Sequence, residues 1–582
     1  MTLHSSWWGP GALRSLSRQF VPSFWDLPAF ALLLGAFVLI AKAGHETLEP
    51  LSAIVTAPVT LDPAALPHYA LLTTLRMLAA MLASLVFALV YATLAAKSRR
   101  AEMMLIPLLD ILQSVPVLGF LSFTVAGFMA LFPGRVLGVE CAAIFAIFTS
   151  QVWNMAFSLY QSLKTLPRDL DEVTQSFRLS AWQRFWRLEI PFAMPGLIWN
   201  AMMSMSGGWF FVVAAEAISV GHTTVSLPGI GSYVALAIDR RDLGAIGWAL
   251  LTMLIIILIY DQLLFRPLVA WSEKFRFELS AAARVPESWF LDLTQRARLF
   301  QFLLRPVGDM ARTLAALRLA PSRPLPSRLR RLWSSRVIDF SWGVVLGLLA
   351  AYALWRVFHF VLGDIGVPEI LHVVMLGFFT LLRVLVLIAL ASLIWVPIGV
   401  WIGLRPRWAE RIQPLAQFLA AFPANLMFPV AVVAILHFHL APDIWLSPLM
   451  VLGTQWYILF NVVAGASAFP NDLKEAAASF RIRGWSWWRH VILPGIMPYY
   501  LTGAITASGG SWNASIVAEI ASWGDKTVAA QGLGAYIARM TAAGDFPRLV
   551  LGIAVMSIFV VLLNRLFWRK LFAFAARNLR LD

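Results

Sequence analysis

The sequence predicts an all-α polytopic membrane protein, with about twelve transmembrane helices arranged as two parallel six-helix repeats about a pseudo-two-fold axis. Three observations predict it. Apolar runs near the ~20 residues that a ~30 Å hydrocarbon core demands recur from end to end. Only 13% of the 582 residues are charged, where a soluble chain carries about 25%. The second half also repeats the first. A transmembrane β-barrel would show short alternating segments instead.

The spans of the first half fall at 27–43, 69–96, 104–131, 136–162, 193–220 and 243–268. Those of the second fall at 338–362, 373–403, 412–438, 444–464, 496–521 and 547–569. No small-residue cleavage site follows Leu27 to Ala43, so this stretch is read as a retained span. Lys97, Arg99 and Arg100 follow the second span, and Arg405, Arg407 and Arg411 follow the eighth. Arg569, Lys570, Arg577 and Arg580 end the chain, whereas the gaps 44–66 and 363–371 carry mainly carboxylates. The positive-inside rule therefore places both termini in the cytoplasm. Arg240 and Arg241, between the fifth and sixth spans, are the exception. The same rule accounts for the net charge of +15 without any nucleic acid partner. Cys141 is the single cysteine, which excludes an intrachain disulfide, and it is read as a packing residue.

The repeat keeps a strict register. Pro191 and Pro494 stand 303 residues apart, and the same spacing pairs Pro167 with Pro470 and Asp169 with Asp472. It also pairs Glu172 with Glu475, Phe177 with Phe480, Trp182 with Trp485, Glu216 with Glu519, Gly229 with Gly532 and Gly231 with Gly534. Thr73–Arg76 faces Thr380–Arg383 at a spacing of 307. An even number of spans per copy gives both copies one orientation. The units are 1–271 and 337–582. The connector, 272–336, is rich in Arg and Pro and lies on the cytoplasmic side. Its "LTQRARLFQFLLRPV" has the pattern of an amphipathic helix on the inner leaflet, or of a connector facing water.

Each copy interrupts its apolar pattern once, as "DLDEVTQSFRLSAWQRFWRLEIPFAMP" from Asp169 and "DLKEAAASFRIRGWSWWRHVILPGIMP" from Asp472. An Asp side chain suits the cap of a short helix. The tryptophans suit the membrane–water boundary. Pro494 is tolerated at the first turn of the span that follows. Each interruption therefore reads as two short cytoplasmic helices forming a knob, and a repeated knob suits a two-fold partner.

The knob resembles the EAA loop of binding-protein-dependent ABC transporter permeases. The second copy matches at Glu475, Ala476, Ala477 and Leu493–Pro494, and the first keeps Glu172 and Pro191. Both copies place arginine, Arg178 and Arg481, where the family usually has glycine, with Gly484 nearby in the second. "AAEAIS…LPGIGSYV" and "VAEIAS…QGLGAYI" look like the nitrate/sulfonate/taurine-type branch. The resemblance covers nearly the whole chain twice, so it implies two fused permease units with the type I importer fold. It further implies a bacterial inner-membrane importer of a small anion such as nitrate, a sulfonate, taurine or bicarbonate. Two cytoplasmic ATPase subunits would carry ATP and Mg, and a periplasmic or lipid-anchored solute-binding protein would dock outside. On this resemblance Asp169, Glu172, Phe177, Arg178, Trp182, Asp472, Glu475, Ala476, Ala477, Phe480, Arg481 and Trp485 form the ATPase-coupling set.

Polar groups inside spans are the candidates for a path or gate, since ionisable ones cost about 2.5–3.5 kcal/mol to insert. They are Glu216, Glu519, Asn513, Asn200, Gln113 and Asn425. Glu216 and Glu519 read equally well as an outer gate or as carboxylates paired with a nearby donor. No catalytic or metal cluster is expected, because His437 and His439 lack a carboxylate or Cys partner nearby in sequence. "GDKT" at Gly524–Thr527 lacks the glycine before lysine that a P-loop needs. The chain is therefore expected to bind no cofactor of its own. The rival reading is an ion-coupled secondary transporter with parallel repeats.

Overall fold

A computed structural model describes residues 24, 26–28, 30, 34–35, 59–114, 117–220, 223–275, 288–318, 336–362, 365–467, 469 and 471–578. In the first unit helix α1 is Leu66–Lys97, α2 Arg99–Ser114, α3 Val117–Leu131, α4 Val136–Lys164 and α5 Arg168–Ser176. Helix α6 then runs without interruption over Ala181–Glu216. A hairpin of β1 (Ala217–Val220) and β2 (Thr223–Ser226) leads to α7 (Ile230–Asp239) and to α8 (Leu243–Ser272). The connector contributes α9 (Trp289–Arg296) and α10 (Arg298–Ala316), and α11 is Arg336–Leu362.

The second unit repeats this order. It comprises α12 (Val367–Gly403), α13 (Pro406–Ala421), α14 (Phe428–His437), α15 (Pro442–Leu452), α16 (Gln455–Ser467) and α17 (Asn471–Ser479). The long helix α18 (Gly484–Ala518) is followed by β3 (Ile520–Trp523), β4 (Lys526–Ala529), α19 (Leu533–Ala543) and α20 (Phe546–Leu571).

Among the described residues seven helices are long and apolar enough to cross a membrane, or eight if the bent pair α15 and α16 makes one span. The remaining expected spans take other forms. Most of 27–43 lies outside the described residues. The span expected at 104–131 is the pair α2 and α3. That at 412–438 breaks after α13, where Pro423 precedes a single 3-10 turn, Ala424–Met427. A proline lacks the N–H that would continue the ladder. The span at 444–464 bends by 44° between α15 and α16. The stretch expected at 338–362 is α11, of which Asp339–Tyr352 counts only as a shorter apolar helix.

Two features depart from the expected pattern. Each unit contains a short antiparallel hairpin, with Ile218 opposite Val225 and Ala521 opposite Val528. The knob's second short helix is also not separate. It is the first turn of α6 or α18, joined to the span through one π turn, Phe185–Glu189 or Trp488–Ile492. Such a turn absorbs a local irregularity without ending a helix, and here it comes just before Pro191 and Pro494.

Helix α6 has 36 residues, about 54 Å at 1.5 Å per residue. It carries the polar interruption at one end and the hairpin at the other. Corresponding turns of α6 and α18 line one cavity and the two hairpin ends touch, so both hairpins share one face of the molecule and both interruptions the opposite face. At the hairpin face the backbone N–H of Gly524 donates to the carbonyl of Ile238 (3.0 Å), joining the two units. Arg241 pairs with Asp525 there at 2.6 Å. Both side chains are exposed, so this pair positions more than it stabilises.

Buried aromatics mark the repeat in the core. Trp209 meets Tyr260 edge-on and Trp512 stacks on Phe559, each Trp 1% exposed. Leu82, Val86, Val90 and Leu94 line an exposed face of α1, as Leu382, Val386 and Leu390 do on α12. These are the surfaces left for lipid. Helices elsewhere meet through small residues, as membrane interfaces require. A Cβ added at Gly503 would stand 2.6 Å from the carbonyl oxygen of Tyr457. Gly503→Val is expected to cost about 1–3 kcal/mol through overpacking. Gly509→Ala, with nothing within 4 Å of its Cβ, should be nearly neutral. Thermal melts of the detergent-solubilised chain compare the two.

Candidate functional site

The two interruptions fold alike. Helices α5 and α17 are nine residues each and carry Asp169 and Asp472 in their first turns rather than at the N-cap. There a carboxylate complements the helix dipole. The side chain of Asp472 lies outside the described residues. Both helices end in the same paired turn. Leu179 N–H bonds to Thr174 O (3.1 Å) and Arg178 N–H to Gln175 O (2.9 Å). In the second copy Ile482 bonds to Ala477 (2.9 Å) and Arg481 to Ala478 (3.0 Å). This is the Schellman arrangement, which needs a left-handed residue at its corner. Arg178 and Arg481 occupy that corner with φ of 51° and 52°. Arginine thus adopts the conformation that glycine usually supplies, at a cost of about 1–2 kcal/mol.

The knobs present their apolar and acidic side chains outward. Phe177 is 74% exposed, Phe480 78% and Trp485 73%. Glu172, Glu475, Ala476, Asp169, Arg178 and Arg481 are exposed as well, while Ala477 is buried. Trp182 is half-buried, because its indole N–H donates to Leu314 O of the connector helix α10 (2.7 Å). Ser180 and Gln183 form a reciprocal capping box that starts α6. Arg184 braces the turn against Asp171 (2.7 Å) and Glu189 (3.0 Å).

At the hairpin face each unit encloses an arginine between carboxylates. Arg76 makes a two-pronged contact with Glu140 (both 2.7 Å) and reaches Glu216 (2.7 Å) and Pro228 O (2.9 Å). Thr73 donates to Glu216 (2.7 Å), and Glu216 accepts the Gly231 N–H at the start of α7 (2.7 Å). The second unit repeats this with Arg383, Glu519, Asp443 and Thr380, at 3.1 Å, 3.0 Å and 2.8 Å for Arg383–Glu519, Arg383–Asp443 and Thr380–Glu519. Glu216 and Glu519 are 0% and 1% exposed and do not line the cavity described next. Glycine at 229 and 532 is dictated by space. A Cβ there would approach the carboxylate carbon of Glu216 or Glu519 to 2.3 Å. Sequence reasoning singled out Glu216 and Glu519 but missed Glu140 and Asp443, although these too stand 303 residues apart.

Between the units lies a cavity of about 180 Å³. The first unit lines it with Gln113, Ser150, Asn154 and Ser206, and the second with Thr454, Tyr457, Thr506 and Asn513. Among the described residues none that lines it is charged. The lining is asymmetric, with Phe210 at the position of Asn513 and Asn154 at that of Tyr457. Asn425 stands beside the cavity and donates to Phe210 O across the unit boundary (3.0 Å). Asn200 points away, to Ser158 (3.0 Å).

Two outcomes follow. Arg76→Met strands two buried carboxylates and should cost about 3–5 kcal/mol, whereas Arg383→Met should cost less, because the Asp443 side chain is 53% exposed. Thermal unfolding of both variants measures the difference. Arg481→Gly relieves the left-handed corner and should match or slightly exceed the parent's stability, whereas Arg481→Val should lower it by about 1 kcal/mol or more.

The model of the binding-protein-dependent transport system inner membrane component family matches residues 84–266 and again 395–571. The bicarbonate transport system permease protein CmpB of Synechococcus elongatus is 30% identical over 132 residues, 23% of this chain and 46% of that protein. The nitrate import permease protein NrtB of Leptolyngbya laminosa is 25% identical over 187 residues, 32% of this chain and 63% of that protein. The glycine betaine/carnitine transport permease protein GbuB of Listeria monocytogenes is 30% identical over 173 residues, 29% of this chain and 54% of that protein. Each match spans about half the length of the relative.

Proposed function

Because the chain belongs, in two successive copies, to the family of inner-membrane permease components of binding-protein-dependent ABC transporters, we propose that it is the complete translocation body of an ATP-driven importer. The observation that carries this reading is the pair of like-folded, exposed knobs on one face, each opening the long helix of its unit. On this reading the knob face is cytoplasmic, as are both termini, and each knob seats one ATPase subunit. A solute-binding protein docks on the hairpin face. ATP-driven closure of the two ATPases draws the knobs together, and α6 and α18 carry that motion to the cavity. The chain binds no nucleotide itself; ATP and Mg reside on the partners.

The solute is a small molecule, and we favour an anion such as nitrate, bicarbonate, a sulfonate or taurine. The names of two relatives, a bicarbonate and a nitrate permease, support the anion. Ser150, Ser206, Thr454 and Asn513 give the cavity a polar lining, but their hydroxyl and amide donors are directed to carbonyl groups of the protein. Such a lining holds no solute tightly, which passage requires, and leaves selection to the binding protein. A secondary transporter would need free carboxylates for its coupling ion. The buried Glu216 and Glu519 are both engaged by arginine, which weighs against that rival.

Glu172→Arg and Glu475→Arg are each expected to weaken ATPase attachment about tenfold or more, a loss of about 1.4 kcal/mol, while membrane insertion stays intact. Co-purification with the cognate ATPase measures attachment. Normal attachment in the double variant refutes the seats. Uptake into vesicles that is driven by an ion gradient without ATP refutes the importer.

A further inference from the structure

Resting on the reading of the knobs as ATPase seats, we propose that the two seats are unequal. The connector helix α10 completes the first seat, so that one ATPase subunit docks against α5 together with an apolar ridge of the connector. The last turn of a helix leaves carbonyls without partners. In α10 Ala316 O accepts the Gln183 side-chain amide, and Leu314 O, which also takes the Leu317 N–H (3.2 Å), accepts the Trp182 indole N–H, both side-chain bonds at 2.7 Å. Gln183 also belongs to the capping box that starts α6. The connector is therefore tied to the turn that shapes the first knob.

The second knob is built otherwise. Its Trp485, the counterpart of Trp182, is 73% exposed. Ser486 stands where Gln183 would be, and its hydroxyl meets His490 (3.3 Å). Met310, Leu314 and Leu317 of the connector are 59%, 49% and 38% exposed, at a spacing that puts them on one side. They adjoin a knob whose own Val173 and Phe177 are 50% and 74% exposed. An exposed apolar patch of this kind marks a contact surface. A membrane surface is the less fitting occupant. Trp182 lies 34 residues along α6 from Glu216, about 51 Å at 1.5 Å per residue, which exceeds even the ~40–45 Å of a bilayer with its headgroups. The family match stops at 266 and resumes at 395, so the connector lies outside both copies.

The test uses the full chain with its cognate ATPase in lipid nanodiscs, in a Cys141→Ser background. Phe177→Cys and Phe480→Cys report cross-linking at the first and second seats. Met310→Glu with Leu314→Glu is expected to reduce cross-linking from position 177 about tenfold and to leave that from position 480 unchanged. Equal loss at both seats, or no loss at either, overturns the inequality. Hydrogen exchange in the chain with its ridge intact gives a second measurement. Slowing over 298–316 on addition of the ATPase supports the composite seat. Slowing that the nanodisc lipid alone produces, with no further effect of the ATPase, overturns it. Absence of cross-linking from both positions with the ridge intact refutes the seats themselves.

Discussion

An arginine held between two carboxylates at the hairpin end of each unit is the contact on which the rest of the architecture hangs. Arg76 gathers Glu140 from α4, Glu216 from the end of α6 and the Pro228 carbonyl before α7. Three chain segments, two of which line the cavity, are thereby tied at one point. A charge in that setting is costly unless every partner is present. Gly229 owes its place to the same cluster, because the carboxylate fills the space a side chain would need, while a Cβ at Gly231 would meet the backbone of Val213. The second unit keeps the arrangement but opens it, with Asp443 half exposed in place of the buried Glu140. The two hairpin ends are therefore unequal in access to solvent.

At the other end the constraint is backbone geometry. A nine-residue helix, a left-handed corner and the start of a long helix follow one another in both copies. The corner is kept by hydrogen bonds even though arginine occupies it. The π turns at Phe185–Glu189 and Trp488–Ile492 make the second half of each knob and its span one continuous helix. A displacement at the knob passes through one hydrogen-bonded corner and then through helix to the cavity. This is the mechanical property that coupling to an external motor requires.

Fusing two units in one chain frees each copy to diverge. The cavity shows it, with phenylalanine facing asparagine at Phe210 and Asn513. The connector shows it too: among the described residues it bonds to the first knob, at Trp182 and Gln183. A dimer of identical units has no means of making such distinctions.

Much of this is legible in the order of residues alone. Span length follows from bilayer thickness, the duplication from a fixed spacing of 303, and the knobs from polar and aromatic residues breaking an apolar pattern. Each is a local or periodic property, and the chain displays such properties directly. The hairpins, the π turns and the broken spans are not legible there, because a four-residue strand or a single displaced hydrogen bond leaves no period to detect. Glu216 and Glu519 stand out as candidates, but their partners do not. Arg76 and Glu216 lie 140 residues apart, and only the packing of α1 against α4 and α6 brings them together. The residue order thus specifies a duplicated membrane body with two like knobs. Packing in three dimensions selects which buried charges neutralise one another and which knob the connector holds, because a charge or a donor finds its partner through space and not along the chain.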